Sequence, residues 1–130
     1  MGHAKVLAAA FAAAVMFTAA PAFAGGDAAA GKKVFQKHLC FSCHSFEDGK
    51  NGVGPSLHGV FGRKAGEAPG FTYSDALKNS GIVWTAENLS KWVENPAAMV
   101  KGTKMILAKP VKDATDRENL VAYIQEESTK

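Results

Sequence analysis

The residues best suited to chemistry form a C-x-x-C-H motif, Cys40-Phe41-Ser42-Cys43-His44. This motif is typical of covalent attachment of a c-type haem. Each thiol can add to one vinyl group of the porphyrin and form a thioether, and the imidazole that follows can bind the iron as its proximal ligand. We therefore interpret Cys40 and Cys43 as haem-attachment residues and His44 as an iron ligand.

Two other sites also use a C-x-x-C pair, a thioredoxin-like redox site and a zinc site. A thioredoxin-like site needs a βαβ pattern, and no convincing strand run lies near the motif. A zinc site needs a second ligand pair. The chain has two cysteines in all, and His38 and His58 do not lie at zinc-finger spacing. Haem attachment is favoured, and a thiol–disulfide oxidoreductase remains an alternative that requires free thiols.

Residues 1–24 have the pattern of a secretory signal peptide. Lys5 provides the positive start, residues 6–20 form an Ala-rich apolar stretch, and Pro21-Ala-Phe-Ala24 ends in an A-x-A cleavage pattern. The apolar stretch is shorter than the ~20 residues of a membrane-spanning helix. We expect cleavage after Ala24, which would leave one small domain, residues 25–130.

The charge balance excludes a strongly basic protein. The formal net charge is +3, and no basic run with interleaved aromatic residues suggests nucleic-acid binding. If the lysine clusters share one face, they can steer the molecule to an acidic partner; an evenly solvated surface is equally compatible with the sequence. The clustered charges are Lys32, Lys33 and Lys37, then Lys101, Lys104, Lys109 and Lys112, and finally the acidic Glu118, Glu126 and Glu127.

The chain from residue 25 predicts helices separated by long irregular segments. Asp27 is a plausible N-cap for a first helix that extends to Leu39, with one face made of Gly31, Val34, Phe35 and Leu39. A short helix over 74–79 is expected to be capped by Ser74 and ended by Gly81. Residues 47–55 and 59–69 are predicted to be loops because they are rich in Gly and polar residues.

The second half of the chain predicts two clearer helices and a loop between them. A helix over 85–94 should stop at Asn95-Pro96, and residues 97–112, which contain Met99 and Met105, show little periodicity. Thr115-Asp-Arg-Glu118 has the pattern of a capping box. The terminal helix that it would start carries an apolar stripe of Leu120, Val121, Tyr123 and Ile124.

With these residues in place, the sequence resembles class I cytochrome c, particularly the bacterial branch closest to the mitochondrial protein. The resemblance implies an all-α fold, the small cytochrome c fold, wrapped around one covalently attached haem c. Its first and last helices would cross, with Gly31 and Phe35 facing Leu120 and Tyr123. The matching segments are Cys40 to His44, Gly54-Pro-Ser-Leu-His-Gly-Val-Phe-Gly-Arg63, Pro69-Gly-Phe-Thr-Tyr73, Gly81-Ile-Val-Trp84, Glu94-Asn-Pro96 and Gly102-Thr-Lys-Met105.

The resemblance also implies roles for single residues. Met105 matches the distal iron ligand, and the thioether of a His/Met pair favours ferrous iron and raises the reduction potential. Pro55 matches the residue whose carbonyl accepts the second ring N–H of the proximal histidine. The residues that match donors to a haem propionate, or its neighbours, are Arg63, Tyr73, Trp84 and Thr103.

Four positions depart from the family pattern. Trp92 stands where the family usually has a Tyr whose hydroxyl reaches the Met sulfur, so the sequence does not predict that hydrogen bond. Leu77 replaces an Asn beside an internal water, Leu107 replaces an aromatic residue near the haem edge, and Lys101 replaces a Pro. The potential and the rigidity of the Met105 segment are therefore expected to differ from the family norm.

The resemblance implies a monomeric one-electron carrier of the bacterial periplasm, and not an enzyme, because two axial ligands leave no site for a substrate. Its partners would be membrane redox complexes: a cytochrome bc complex, a terminal oxidase or a photosynthetic reaction centre. Docking would be transient and electrostatic. The alternative is a haem enzyme or gas sensor in which Met105 is displaced, with Lys101 and Lys104 as candidate replacement ligands.

Overall fold

The computed structural model describes residues 25–130, together with residues 2, 10 and 12–14. The signal peptide predicted for residues 1–24 therefore lies outside the described residues, apart from those few positions. No helix in the described part of the chain is long and apolar enough to cross a bilayer. The α-helices are α1 (Ala28–Lys37), α2 (Asp75–Lys78), α3 (Ala86–Glu94), α4 (Pro96–Met99) and α5 (Ala114–Ser128), and a 3-10 turn spans Cys40–Ser42.

Helices α1 and α5 cross at close range, as the resemblance implied. The carboxylate of Asp27 accepts hydrogen bonds from the backbone N–H groups of Ala29 and Ala30, which confirms it as the N-cap of α1. One turn later, a Cβ on Gly31 would overlap the carbonyl oxygen of Asn119 and lie 2.7 Å from Cβ of Tyr123. Only a residue without a side chain permits this approach of the two backbones.

Aromatic side chains fill the space beside the crossing. The rings of Phe35, Phe46 and Tyr123 contact one another with centroid separations of 5.3 to 5.6 Å. Leu120 is 0% exposed and lies in the same core as Val121 and Ile124. The predicted apolar stripe of the last helix is thus confirmed, and it joins both ends of the described chain to one core.

Helix α1 ends two residues earlier than the apolar pattern predicted. Its last residue is Lys37, His38 is the C-cap, and Leu39 adopts a left-handed conformation with φ of 58°. Leu39 is 49% exposed, so its placement on the buried helical face was wrong. The chain must leave the helix here because the next residues, Cys40–Ser42, form the 3-10 turn of the C-x-x-C-H motif.

The capping box predicted at Thr115 was also wrong. Helix α5 begins at Ala114, two residues earlier than a cap at Thr115 would allow, and its N-cap is Asp113. The Asp113 carboxylate accepts a hydrogen bond of 2.8 Å from the backbone N–H of Asp116. Asp and Thr both favour this position, but a carboxylate at a helix N-terminus also gains from the positive end of the helix dipole.

A short helix interrupts the segment that was predicted to be irregular over 97–112. Asn95 ends α3, as predicted, and its side-chain oxygen then accepts a hydrogen bond of 3.2 Å from the backbone N–H of Ala98. Pro96 is the first residue of α4 because a proline at that position loses no helical hydrogen bond. One Asn-Pro pair therefore stops one helix and starts the next.

The remaining helix starts lie at or next to the predicted residues. Ser74 caps α2, as predicted, by accepting from the backbone N–H of Leu77 at 3.2 Å. Thr85, predicted as the first residue of a helix, is instead the N-cap of α3 and accepts from the backbone N–H of Asn88. Helix α2 has Asn79 as its C-cap, and Gly81, with φ of 71°, follows it in the turn. Residues 45–73 contain no helix, as predicted for 47–55 and 59–69.

We expect Gly31→Leu to lower the free energy of unfolding by about 1–3 kcal/mol, as other overpacked contacts do. The added side chain must push α1 away from the Asn119 backbone, which cannot move without displacing α5. Ala29→Leu, on an exposed position of the same helix, is the matched control. Equal urea midpoints for Gly31→Leu and the parent would contradict the crossing.

Candidate haem-binding site

The two cysteines lie half-buried at the end of α1, and both are free thiols. The 3-10 turn holds them together: the backbone N–H groups of Cys43 and His44 both donate to the carbonyl of Cys40, at 3.2 and 3.0 Å. Burial raises the pKa of the Cys40 thiol to about 11. A thiol–disulfide oxidoreductase needs a thiolate with a lowered pKa, so this environment does not favour that alternative.

The imidazole of His44 is fixed on one side by the protein. Its Nδ1 donates to the carbonyl oxygen of Pro55 at 2.8 Å. Gly54 allows this contact, because a Cβ there would lie 2.8 Å from Nδ1 and 3.0 Å from Nε2 of the ring. Burial lowers the pKa of His44, and the hydrogen bond to Pro55 opposes that shift less strongly. The neutral ring therefore keeps its proton on Nδ1 and a free lone pair on Nε2.

Met105 is fixed by two hydrogen bonds. Its backbone N–H donates to Oγ1 of Thr103 at 3.3 Å, and its sulfur accepts from Nε1 of Trp92 at 2.9 Å. The sequence did not predict this second bond, because Trp92 lacks the hydroxyl that usually makes it. The indole N–H replaces the hydroxyl as the donor, and one lone pair of the sulfur remains available.

Trp84 and Trp92 form an edge-to-face pair, with ring centroids 5.2 Å apart and an interplanar angle of 63°. Both are buried, at 7% and 5% exposure. The indole N–H of Trp92 donates to the sulfur of Met105, whereas the indole N–H of Trp84 has no acceptor among the described residues. The Trp84 indole is therefore a donor that an added polar group can use.

Two extended segments bring Arg63 next to Trp84. The backbone N–H of Trp84 donates to the carbonyl of Arg63 at 3.0 Å, and Gly62 donates back to the carbonyl of Trp84 at 2.9 Å. The guanidinium of Arg63 donates to the carbonyls of Ser56 and His58, at 3.1 and 3.0 Å. Arg63 thereby stabilises the loop that also carries the Pro55 carbonyl.

Tyr73 is the third polar aromatic residue of this region. Its hydroxyl oxygen accepts a hydrogen bond of 3.1 Å from the backbone N–H of Ala68. Burial raises the pKa of Tyr73, against smaller opposing contributions from Ala68 and the positive charge of Arg63. The phenol therefore keeps its proton, which is not donated to any group in the described part of the chain.

Two residues that organise the site were not predicted from the sequence. The side chain of Asn51 accepts from the backbone N–H of Ser56 at 2.9 Å and donates to the carbonyl of Pro69 at 3.0 Å. It thus connects the loop beside His44 with the loop that leads to Tyr73. His38 was considered only as a zinc ligand, but its ring contacts the carbonyl of Lys109 at 2.5 Å. A polar residue in a loop gives no pattern from which such long-range partners could be found.

Across residues 25–130, no group of three or more Cys, His, Asp or Glu side chains could hold a metal ion. The residues that the sequence singled out fit a haem instead. They offer two half-buried thiols at the required spacing, an imidazole nitrogen and a thioether sulfur that are each free on one side, and polar aromatic groups with unused protons. This set matches an apolar ring that has two axial positions and anionic edges.

Comparison with known proteins agrees with this assignment. The family profile described as "Cytochrome c" matches residues 28–128. The chain is 51% identical over 108 residues to cytochrome c2 of Blastochloris viridis, covering 82% of each protein. It is 46% identical over 110 residues to cytochrome c type-1 of Ascaris suum, covering 85% of this chain and 96% of that protein.

A solved structure shows the same fold. Cytochrome cH from Methylobacterium extorquens superposes with a TM-score of 0.72 at 47% identity, covering 78% of this chain and 99% of that one. The all-α fold implied by the resemblance is therefore confirmed, and so is covalent haem c as the cofactor that the family carries. The chain belongs to the cytochrome c family and, like its relatives, is an electron carrier rather than an enzyme.

Proposed function

We propose that this electron carrier uses His44 and Met105 as its two axial iron ligands and moves electrons between membrane redox complexes. The observation that carries the proposal is that one hydrogen bond fixes each of the two ligand side chains. Nδ1 of His44 donates to Pro55, and the sulfur of Met105 accepts from Trp92, at 2.8 and 2.9 Å. Each hydrogen bond fixes its side chain and leaves one lone pair free to bind iron, on Nε2 of His44 and on the sulfur of Met105.

Cys40 and Cys43 would form the two thioethers to the haem. The 3-10 turn holds both thiols beside His44, so attachment places the ring next to the imidazole. When bound, the haem supplies one-electron chemistry by cycling its iron between the ferrous and ferric states. The protein holds the ligand side chains in place, excludes water and supplies a thioether sulfur that stabilises ferrous iron.

Four residues would stabilise the haem propionates by hydrogen bonds or by positive charge: Arg63, Tyr73, Trp84 and Thr103. Tyr73 and Trp84 each hold a proton without an acceptor in the described structure, and a buried carboxylate needs such donors because an unpaired buried charge is costly. The Thr103 hydroxyl accepts from Met105 and keeps its own proton for donation. Arg63 already donates to two carbonyls, so its contribution to a propionate is mainly its charge.

We further propose that the lysine clusters form one docking surface. Lys37 lies beside His38, whose ring contacts the carbonyl of Lys109, so this bond joins the α1 cluster to the cluster around Met105. None of the seven clustered lysines forms an ion pair with another described residue; the paired lysines are Lys50, Lys78, Lys91 and Lys130. The acidic residues Glu126 and Glu127, in contrast, pair with Lys130 at the C-terminal end of α5.

The partners proposed for this surface are acidic faces of membrane redox complexes: a cytochrome bc complex, a terminal oxidase or a photosynthetic reaction centre. The interaction would be transient, as electron-transfer interfaces are small, and the carrier would act as a monomer. Because residues 1–24 have the pattern of a secretory signal peptide, we also propose export, cleavage after Ala24 and residence in the periplasm.

The export proposal has a direct test by intact mass. We expect the protein from a periplasmic fraction to have the mass of residues 25–130 plus one haem, because thioethers survive denaturation. Recovery of a chain that retains residues 1–24 would contradict export with cleavage. A haem-free mass would contradict the attachment roles of Cys40 and Cys43.

Two filled axial positions predict that the ferrous protein does not bind carbon monoxide at neutral pH, because no coordination site is open. The absorption spectrum of the reduced protein, recorded before and after addition of the gas, measures this. Met105→Ala, which removes the sulfur, is the positive control and should bind. Carbon monoxide binding by the folded parent would instead favour the haem enzyme or gas sensor.

Trp92→Phe is expected to lower the reduction potential, because the indole N–H withdraws electron density from the sulfur and so favours ferrous iron. A neutral hydrogen bond contributes about 0.5–1.5 kcal/mol, which for one electron corresponds to a shift of at most about 65 mV. Potentiometric titration measures the shift. Trp92→Tyr, which supplies a hydroxyl as the donor to the sulfur, is the control and should keep a potential nearer to that of the parent. An unchanged potential in Trp92→Phe would show that the bond has no effect on the iron.

Electrostatic docking predicts that the second-order rate of electron transfer to an isolated bc complex falls as ionic strength rises. Lys37→Gln should reduce the rate at low salt by at most about fivefold, since one exposed ion pair contributes about 0.2–1 kcal/mol. Lys91→Gln, at a lysine that is already paired with Glu87 at 3.1 Å, should leave the rate unchanged. A rate independent of salt would contradict the docking surface.

A further inference from the structure

One hydrogen bond joins two parts of the chain that are 71 residues apart. Nδ1 of His38 lies 2.5 Å from the carbonyl oxygen of Lys109. A carbonyl oxygen only accepts hydrogen bonds, so Nδ1 must carry the hydrogen and donate it. Neither the C-x-x-C-H motif nor the match to the family assigns a role to His38.

The donor is held rigidly at the end of α1. The backbone N–H of His38 donates to the carbonyl of Val34 at 2.9 Å, and His38 forms the C-cap of the helix. Leu39 then turns the chain, and Cys40 follows directly. The His38 ring therefore projects from a helix end that is anchored in the core, where Val34 and Phe35 are 6% and 5% exposed.

The acceptor lies in a segment with few other restraints. Residues 106–110 follow Met105 and precede Val111, which is 1% exposed and donates to the carbonyl of Val93 at 3.0 Å. Between these two anchors, the contact with His38 is the one hydrogen bond that the segment makes to any described residue. Ile106 is 87% exposed, so side-chain burial at that residue does not compensate.

We propose that His38 is a positioning residue that holds residues 106–110 against α1 and thereby keeps Met105 in place as an iron ligand. The inference rests on the axial role proposed for Met105. Segments with few buried contacts and few hydrogen bonds open locally at low free-energy cost. A hydrogen bond within such a segment lowers the population of the open form, in which the sulfur leaves the site.

The bond acts together with the Trp92 contact, but on a different part of the segment. Trp92 holds the sulfur itself, at 2.9 Å, whereas His38 holds the backbone four residues later. Loss of the His38 bond should therefore leave the ferric resting spectrum unchanged, because the closed form still predominates. It should change how readily another ligand replaces the sulfur.

The test is a titration of the ferric holoprotein with imidazole. Loss of the far-red sulfur-to-iron charge-transfer band measures the replacement of the sulfur by imidazole. The apparent affinity for imidazole increases in proportion to the fraction of open protein. His38→Leu removes the donor, and we expect it to bind imidazole about 2- to 10-fold more tightly than the parent, the range given by one net hydrogen bond. His38→Asn keeps an N–H donor near the position of Nδ1 and should restore affinity to near the parental value.

His58→Asn is the matched control, since its ring makes no hydrogen bond to a residue that the structure describes. It should bind imidazole like the parent. Parental affinity in His38→Leu, or equally raised affinity in His38→Leu and His38→Asn, would overturn the proposal. A parent that shows no far-red band would instead refute Met105 as a ligand, so the two failures are distinguishable.

Hydrogen exchange separates a local role from general loss of stability. In His38→Leu, the amides of Met105 and Val111, which donate to Thr103 and Val93 at the two ends of the segment, should exchange faster, whereas the amide of Val34 in the middle of α1 should remain as protected as in the parent. Equal acceleration at both places would show that His38 supports the whole fold and would contradict a specific role in positioning Met105.

Discussion

Both proposed iron ligands lie outside the α-helices, so individual hydrogen bonds, rather than helix geometry, must fix them. His44 follows the 3-10 turn and depends on the Pro55 carbonyl, and Met105 lies in an irregular segment and depends on Trp92. In each case the protein forms one hydrogen bond with the side chain that would bind the iron. A free imidazole nitrogen and a free sulfur lone pair remain, and the rest of the structure serves to place them.

The helices supply the rigid frame for these bonds. The close approach of α1 and α5 at Gly31 fixes the direction in which α1 ends, and hence where Cys40 and His44 lie. Helix α3 carries Trp92 and, through the Val93 carbonyl, also anchors Val111 at the far end of the Met105 segment. One helix therefore holds that segment at two points, and the end of α1 holds it at a third. The loops between residues 45 and 73 contain no helix of their own, and side-chain hydrogen bonds of Asn51 and Arg63 connect them.

The sequence predicted the features that depend on local pattern. The C-x-x-C-H spacing indicated the cofactor, Asp27, Ser74 and Thr85 marked helix starts, and the apolar periodicity of residues 120–124 identified a buried face. Choices between neighbouring residues were less predictable. Asp113 replaced Thr115 as a cap because both side chains suit the position and small electrostatic differences decide. Leu39 left the helix because the C-x-x-C-H turn overrides helical periodicity.

Long-range pairs could not be predicted at all. The Trp92 bond to Met105 was missed because the usual donor is a hydroxyl, and the sequence does not reveal that an indole N–H reaches the same sulfur. Asn51 and His38 have partners 18 and 71 residues away, respectively, which no periodicity encodes. These are side-chain contacts across the fold, and they only become apparent once the backbone has been placed.

The proposal that His44 and Met105 occupy both faces of the iron is tested by the far-red optical spectrum of the purified ferric protein. We expect a weak sulfur-to-iron charge-transfer band in the parent and none in Met105→Ala. If a folded, haem-loaded parent lacked the band, the iron would have another ligand or an open site, and Met105 would not be its ligand.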